Sequence, residues 1–418
     1  MTSQKHTVII GGGIIGGFAA WYLAQTGRKV TLIEQGQFGK AASHGNCGYV
    51  SPSHVIPLAR PGQLSKAVKG MLSRETALRI EPRKLLSLAP WLLKFAMRCN
   101  AKDMMEAGQA CHPLLQSSAT LYREVFEQQN MQVEWKTDGL LFVFRDQHEF
   151  DEYTAVDAWL KQHFNMGAEP LVGTALTELE PALKPGMAGA WLYRCDAHLR
   201  PSKLMSEVRR IITQAGVTVV EQTAMKGFAG TGNRASAVMT NGDAIAADEF
   251  LVATGAWTPL LNEALGCKLP IQPGKGYSIT MARPKICPKY PMILEECHVA
   301  ITPFDTGYRV GSTMEFSGYD STLNKHRLNY LRSGAAQYLH EPTAEPVEEE
   351  WCGWRPMTAD GIPFIDRSPR FSNVWLAAGH SMLGISMGTG TGKLIAEMMN
   401  GDKPHLDITP YRVNRARK

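Results

Sequence analysis

A short apolar strand running into a glycine turn, then a helix, then a strand ending in an acid predicts an α/β fold with a Rossmann-like opening. The strand is Thr7-Val8-Ile9-Ile10 and the turn is Gly11-Gly12-Gly13-Ile14-Ile15-Gly16. Phe18, Trp21, Tyr22 and Leu23 carry the helical pattern to Gly27, and Lys29-Val30-Thr31-Leu32-Ile33 leads to Glu34. Length supplies the second observation: 418 residues exceed the roughly 250–300 at which a single core stops growing, so two domains are expected.

Each part of the opening unit has a physical task. Gly11 permits the tight turn, Gly13 lets the backbone approach a pyrophosphate, and Gly16 lets helix and strand pack closely. Ile14 and Ile15 begin the helix, whose N–H groups and partial positive charge face the phosphates. Glu34 can accept hydrogen bonds from ribose hydroxyls and disfavours a 2′-phosphate, so NADP is not expected. This unit alone leaves NAD and FAD open.

Residues 37–62 read as a loop rich in Gly, Ser, Asn and Pro, and residues 64–110 as helical and basic. Within 64–98, Lys66, Lys69, Arg74, Arg79, Arg83, Lys84, Lys94 and Arg98 alternate with Leu, Met and Trp. Such a segment can lie on anionic lipid, or form a solvated helical face. Gly139–Phe144 and Gly189–Tyr193 read as strands, and Pro201 suits the first turn of a helix reaching Gln214. Ala237-Val238-Met239-Thr240 and Ala244-Ile245-Ala246-Ala247 flank Asn241-Gly242, which signals a hairpin. Phe250 to Ala256 reads as another buried strand. Near the C-terminus Val374-Trp375-Leu376-Ala377-Ala378-Gly379-His380 is followed by Gly384, Gly388, Gly390 and Gly392, a second strand-to-glycine transition.

Composition narrows the class. With 44% hydrophobic and 20% charged residues and a net charge of +5, the chain is globular and lacks the basic stripe of a dedicated nucleic-acid binder, so no nucleic-acid partner is expected. The eight cysteines include no CxxC pair, which suggests neither zinc site nor redox dithiol and points to reduced thiols in the cytoplasm. The most apolar stretch, Leu85 to Met97, is interrupted by Pro90 and carries Lys94. It is short of the roughly 20 residues a bilayer requires. No secretory signal is expected, since Thr7–Ile10 already reads as core strand. The expected location is cytoplasmic, with the inner face of the cell membrane as a further possibility.

Several stretches together resemble the D-amino-acid-oxidase superfamily of flavoproteins, and within it the bacterial D-amino-acid dehydrogenases. They are Asn46-Cys47-Gly48-Tyr49-Val50-Ser51-Pro52, Lys275-Gly276-Tyr277-Ser278-Ile279-Thr280, the run from Ile293-Leu294-Glu295-Glu296 to Arg309-Val310-Gly311, Gly353-Trp354-Arg355-Pro356-Met357-Thr358-Ala359-Asp360-Gly361, and Ala378-Gly379-His380-Ser381-Met382-Leu383-Gly384. They follow one another along nearly the whole chain. The resemblance implies a discontinuous Rossmann-like FAD-binding domain (1–85, 198–265 and 350–418). An antiparallel-sheet-rich α+β substrate domain (86–197 and 266–349) is interleaved with it. It also implies oxidation of an amino acid at Cα, hydride passing to the flavin, and hydrolysis of the imino acid to an oxo acid and ammonia.

Residue by residue, the resemblance assigns Arg355 to the substrate carboxylate, a contact whose two-pronged geometry lysine cannot reproduce. Tyr277 falls near a polar group beside the substrate, and His44 and His380 are candidate active-site groups. For the cofactor it implies Gly11, Gly13, Ile14, Ile15, Gly16, Glu34 and Gln35 at the ADP half. Ser43, Asn46, Gly48, Thr254, Gly255, Gly379, Gly384 and Ile385 would contact the rest.

Departures matter as well. Glycine oxidases carry a second arginine where this chain has Met382, which argues against simple transfer of that activity. Gly353 stands where covalent sarcosine-type oxidases carry the flavin-linked cysteine, with Cys352 adjacent, so non-covalent FAD is expected. No second dinucleotide motif follows the first, so electrons are expected to pass to a quinone or respiratory carrier, or to oxygen. The rival readings are an oxygen-using oxidase of the glycine or sarcosine type, an RNA-modifying flavoenzyme, and a non-catalytic electron-transfer flavoprotein subunit.

Overall fold

The computed structural model describes residues 4–63 and 76–417, and the counts below are of these residues. A six-stranded sheet forms from segments scattered along the chain, in the order 364–367, 374–378, 249–252, 6–10, 29–33, 218–220. All neighbouring pairs are parallel except the antiparallel pair 364–367 with 374–378. Both faces are covered, and strands such as Val8–Ile10 and Phe250–Val252 are wholly apolar and buried, as parallel strands require.

The opening unit folds as its pattern predicts. Strand His6–Ile10 leads to helix Ile14–Gln25, and strand Lys29–Ile33 lies beside the first in parallel register. The helix stops at Thr26 and Gly27, where φ is +79°. At the other end of the chain, helix Gly388–Asn400 packs against Ile14–Gln25 through its glycines. A Cβ on Gly392 would come within 2.7 Å of Phe18, and one on Gly388 within 2.8 Å of the Tyr122 hydroxyl. These glycines serve helix packing.

A second, nine-stranded mixed sheet runs 347–358, 271–281, 307–316, 299–304, 292–294, 140–144, 189–193, 169–171, with 78–80 pairing beside 307–316. Residues 350–358 thus run as part of the second sheet, antiparallel to Ile271–Met281. Its core includes Tyr277, Ile279, Val299, Ile301 and Val310. A small antiparallel sheet follows helix Pro201–Gln214 and contains the expected hairpin, Val238 opposite Ile245.

The helical expectation for 64–110 is met in part. Residues 64–75, with Lys66, Lys69 and Arg74, lie outside the described residues. Leu78–Ile80 is a strand, held parallel to Met314–Phe316. A ready partner edge decides such a short run more strongly than its own propensity does. Helices Leu85–Arg98 and Ala101–Gln128 follow. Among the described residues, no helix is long and apolar enough to cross a membrane.

Candidate functional site

Three parallel strands deliver their carboxyl ends to one edge of the first sheet: His6–Ile10 to Gly11, Glu249–Val252 to Thr254, and Val374–Ala378 to Gly379. Ligands of open parallel sheets bind at such an edge. A long cleft opens there, lined at one end by Gly11, Gly13, Ile14, Ile15, Glu34 and Gln35. Midway it meets Ser43, Asn46, Thr254 and Gly255, and at the far end Arg355, His380, Gly384 and Ile385.

The first end suits a dinucleotide. Gly11 has φ +113°, and a Cβ there would lie 2.5 Å from the Ala253 carbonyl, so only glycine lets the two strand ends meet. A Cβ on Gly16 would fall 1.9 Å from the Gly11 carbonyl, so its bareness seats the helix on the turn. At Gly13 a Cβ would meet only the Ser43 hydroxyl, at 3.5 Å, which leaves the backbone open to the cleft. No side chain caps the helix at Gly13. Its first-turn N–H groups lack intrahelical acceptors and can take phosphate oxygens. Ser43 accepts from one of them, the Ile14 N–H, at 3.0 Å.

Glu34 is fixed before any ligand arrives. One carboxylate oxygen accepts from the Gly12 N–H at 2.7 Å and the other from the Gly36 N–H at 2.9 Å. Each oxygen keeps a further lone pair for a ribose hydroxyl. Among the described residues Glu34 is also the one acidic side chain lining the cleft, so the rest of that lining does not repel a pyrophosphate. These features fit FAD.

The loop at the middle of the cleft is held from behind. The buried Arg309 guanidinium donates to the carbonyls of His44, at 2.8 Å, and Asn46, at 2.6 Å, and to the Thr280 hydroxyl at 3.0 Å. His44 itself turns away from the cleft and meets the Glu349 carboxylate at 2.8 Å. That partner keeps the Glu349 carboxyl below its usual range. Gly48 likewise packs, since a Cβ there would sit 2.0 Å from the Leu199 carbonyl. His44 and Gly48 shape the loop and do not line the cleft.

At the far end, strand Val347–Thr358 runs along the cleft, and Trp351, Gly353, Trp354, Arg355 and Pro356 all line it. The Arg355 guanidinium lies flat over Gly276, where a Cβ would be 2.2 Å from Nη1. Nη1 donates to the Thr313 carbonyl at 2.7 Å. Among the described residues no acidic side chain pairs with Arg355, and burial lowers its pKa from the usual guanidinium range. A desolvated cation with spare donors is able to accept an anionic group such as a carboxylate.

Tyr277 does not join it. It follows Gly276 on the strand, so its side chain points to the opposite face, into the core of the second sheet. There its hydroxyl donates to the buried Glu315 carboxylate. Period-two alternation removes it from the site. His380 does line the cleft, with Nε2 3.0 Å from the Thr391 hydroxyl. Burial pushes its pKa down to about 3, so its ring is neutral and a weak proton acceptor. Gly379, at φ +83°, turns the chain beneath it.

Sequence reasoning passed over Trp257, Trp351 and Trp354, which all line the cleft. Trp257 and Trp354 meet edge to face at 5.4 Å. No local pattern marks Trp351, whose ring meets Gly45 of a loop far away in the chain.

Comparisons with known proteins agree with this architecture. The model of the family described as FAD dependent oxidoreductase (DAO) matches residues 6–398. A D-amino acid dehydrogenase of Bradyrhizobium diazoefficiens is 31% identical over 98% of this chain and 98% of its own. One from Granulibacter bethesdensis is 29% identical over 98% and 99%. Glycine oxidase from Bacillus cereus superposes with a TM-score of 0.77 at 19% identity, covering 96% of this chain and 97% of its own. L-proline dehydrogenase from P. horikoshii gives 0.75 at 20% identity, covering 100% and 99%. At such identities the superpositions speak for the fold alone. The chain belongs to the DAO family of FAD-dependent oxidoreductases.

Proposed function

We propose that the protein dehydrogenates D-amino acids at Cα, cyclic ones such as D-proline or hydroxy-D-proline included, and passes the electrons to a quinone or respiratory carrier. The observation that carries this reading is Arg355, a guanidinium facing the cleft with no acidic partner among the described residues. The D-amino acid dehydrogenases that match along nearly their whole length support the same class.

FAD, when bound, accepts the hydride leaving Cα. The chain's own residues bind and orient the substrate. Arg355 grips the carboxylate and so fixes where Cα sits. Among the described residues the cleft offers no strong base there: His380 is neutral and weakly basic, and Glu34 lies at the dinucleotide end. The substrate amine therefore reacts in its neutral form, and the resulting imino acid hydrolyses to an oxo acid and ammonia. Non-covalent FAD is supported by Cys352, whose thiol bonds the Ser321 carbonyl at 3.5 Å and packs toward the second core, away from Gly353.

A peripheral membrane contact is part of this reading. On helix Leu85–Arg98, Leu88, Trp91 and Phe95 are buried, while Leu86, Leu93 and Met97 are 91%, 64% and 65% exposed. The exposed three share one face at helical spacing, beside Arg83, Lys84 and Lys94, which suits an anionic lipid surface near a lipophilic acceptor.

The deciding experiment is anaerobic reduction of the purified flavoprotein by paired D- and L-amino acids, both prolines among them. Bleaching by D-isomers is the expected result. Reduction by L-isomers alone would overturn the stereochemistry, and none by any amino acid would overturn the substrate class.

A further inference from the structure

Beside Arg355 the cleft carries a second built surface. The Trp351 ring lies across Gly353, whose Cβ would fall 2.2 Å from Cζ2, and against Gly45, whose Cβ would fall 2.0 Å from Cε3. Two bare backbones, one from the strand and one from the cofactor-side loop, thus clamp one indole. Gly353 stands directly opposite Gly276 in the register of the two strands, and Gly276 is the seat of the Arg355 guanidinium. Directly opposed residues are about 5 Å apart. The guanidinium and the indole are therefore neighbours on one floor.

An amino acid whose carboxylate meets Arg355 has its Cα one bond away, so the first atoms of its side chain come within reach of that indole. Charge points the same way. Arg355 and Glu34 are the only charged side chains on the cleft lining among the described residues, and Glu34 lies at the opposite end. The indole itself is flanked by Gly45 and Gly353, neither of which carries a side chain. A second charge on the substrate would find no partner there and would lose its hydration.

We infer that Trp351 is the specificity-determining residue for the group on Cα, and that it selects amino acids with uncharged, apolar side chains, ring-bearing ones above all. The inference rests on Arg355 holding the substrate carboxylate. Trp351 itself takes no part in proton or hydride transfer.

The test compares parent, Trp351→Phe and Trp351→Ala holoenzymes across D-alanine, D-valine, D-phenylalanine, D-glutamate and D-lysine by flavin reduction. It also measures binding of benzoate and acetate, two unreactive carboxylates, from the change in flavin absorbance. The parent is expected to prefer the apolar series and to bind benzoate over acetate. In Trp351→Ala the phenylalanine-to-alanine ratio of kcat/KM falls about ten-fold or more, the range for one apolar contact. The benzoate preference falls with it, and Trp351→Phe keeps most of both. If Trp351→Ala retains too little FAD to assay, the Phe variant and the parent's own series decide. A parent indifferent to side-chain charge, or a Phe variant whose ratio collapses toward the charged substrates' level, overturns the inference. Ratios unchanged in Trp351→Ala, with D-amino acids still reducing the flavin, sink it and leave the amino-acid reading standing. No reduction of the parent by any amino acid sinks that reading instead.

Discussion

The two ends of the cleft are built in different ways. At the dinucleotide end, Gly11, Gly13, Gly16 and Glu34 come from one strand–helix–strand unit within the first 34 residues. At the end proposed for the substrate, Gly45, Gly276, Trp351, Gly353 and Arg355 come from three distant segments that meet through the antiparallel pair 271–281 with 347–358 and the loop laid against it. The first end is organised by local turns and a helix terminus. The second depends on which face of a strand each residue takes and on what lies one strand away. Damage should differ accordingly: binding of cofactor should fail from one end, and reading of substrate from the other.

The largest effect is expected at Arg355. Arg355→Met leaves a substrate carboxylate without its charged partner, a loss of about 2–5 kcal/mol. That is roughly thirty- to several-thousand-fold in kcat/KM. Arg355→Lys keeps the charge without the fork and should fall between the Met variant and the parent. FAD content should hold in both, because Arg355 bonds the Thr313 carbonyl and no cofactor-loop residue. Coupled loss of FAD and activity would erase the distinction between the two ends.

Glu34→Ala should do the reverse. A hydrogen bond to a charged carboxylate is worth roughly 1.5–3 kcal/mol, so FAD affinity should fall about ten- to a hundred-fold. Enzyme that keeps its FAD should turn over near the parent rate. Glu34 also holds the Gly12 and Gly36 N–H groups, so Glu34→Gln, which retains one acceptor, should lose less. Titration of apoprotein with FAD reads both, and unchanged affinity removes Glu34 from the ribose contact.

The smallest effect lies outside the cleft. Replacing the exposed Arg83 and Lys84 by Gln should weaken sedimentation with anionic vesicles by about 1 kcal/mol per charge. Leu86→Ser should add to the loss, and flavin reduction should be untouched. Parent protein that ignores such vesicles at low salt ends the membrane proposal.

The same contrast explains what the sequence disclosed. The opening unit was legible because its signals are contiguous: a β-branched run, spaced glycines, helical period, then an acid. Arg355 was legible only through the resemblance of its flanking motif. Tyr277 was drawn toward the substrate by that resemblance, yet its neighbour Gly276 takes the cleft face and sends Tyr277 into the core. His44 read as a candidate active-site histidine, yet it turns to an acid outside the cleft. Its partner, Glu349, lies 305 residues away, and no local pattern announces such a pair. Trp351 was missed for a related reason: an indole clamped between Gly45 and Gly353 is visible only once the loop is laid on the strand.

The central claim is that Arg355 reads a carboxylate, and one double comparison tests it most directly. The rate of anaerobic flavin reduction is measured with a D-amino acid and with its carboxamide, in the parent and in Arg355→Met. The account predicts a large penalty for the amide in the parent and a nearly level pair in the Met variant, since the group that discriminated is gone. An equal amide penalty in both proteins would mean that some other residue holds the carboxylate, and would contradict the account.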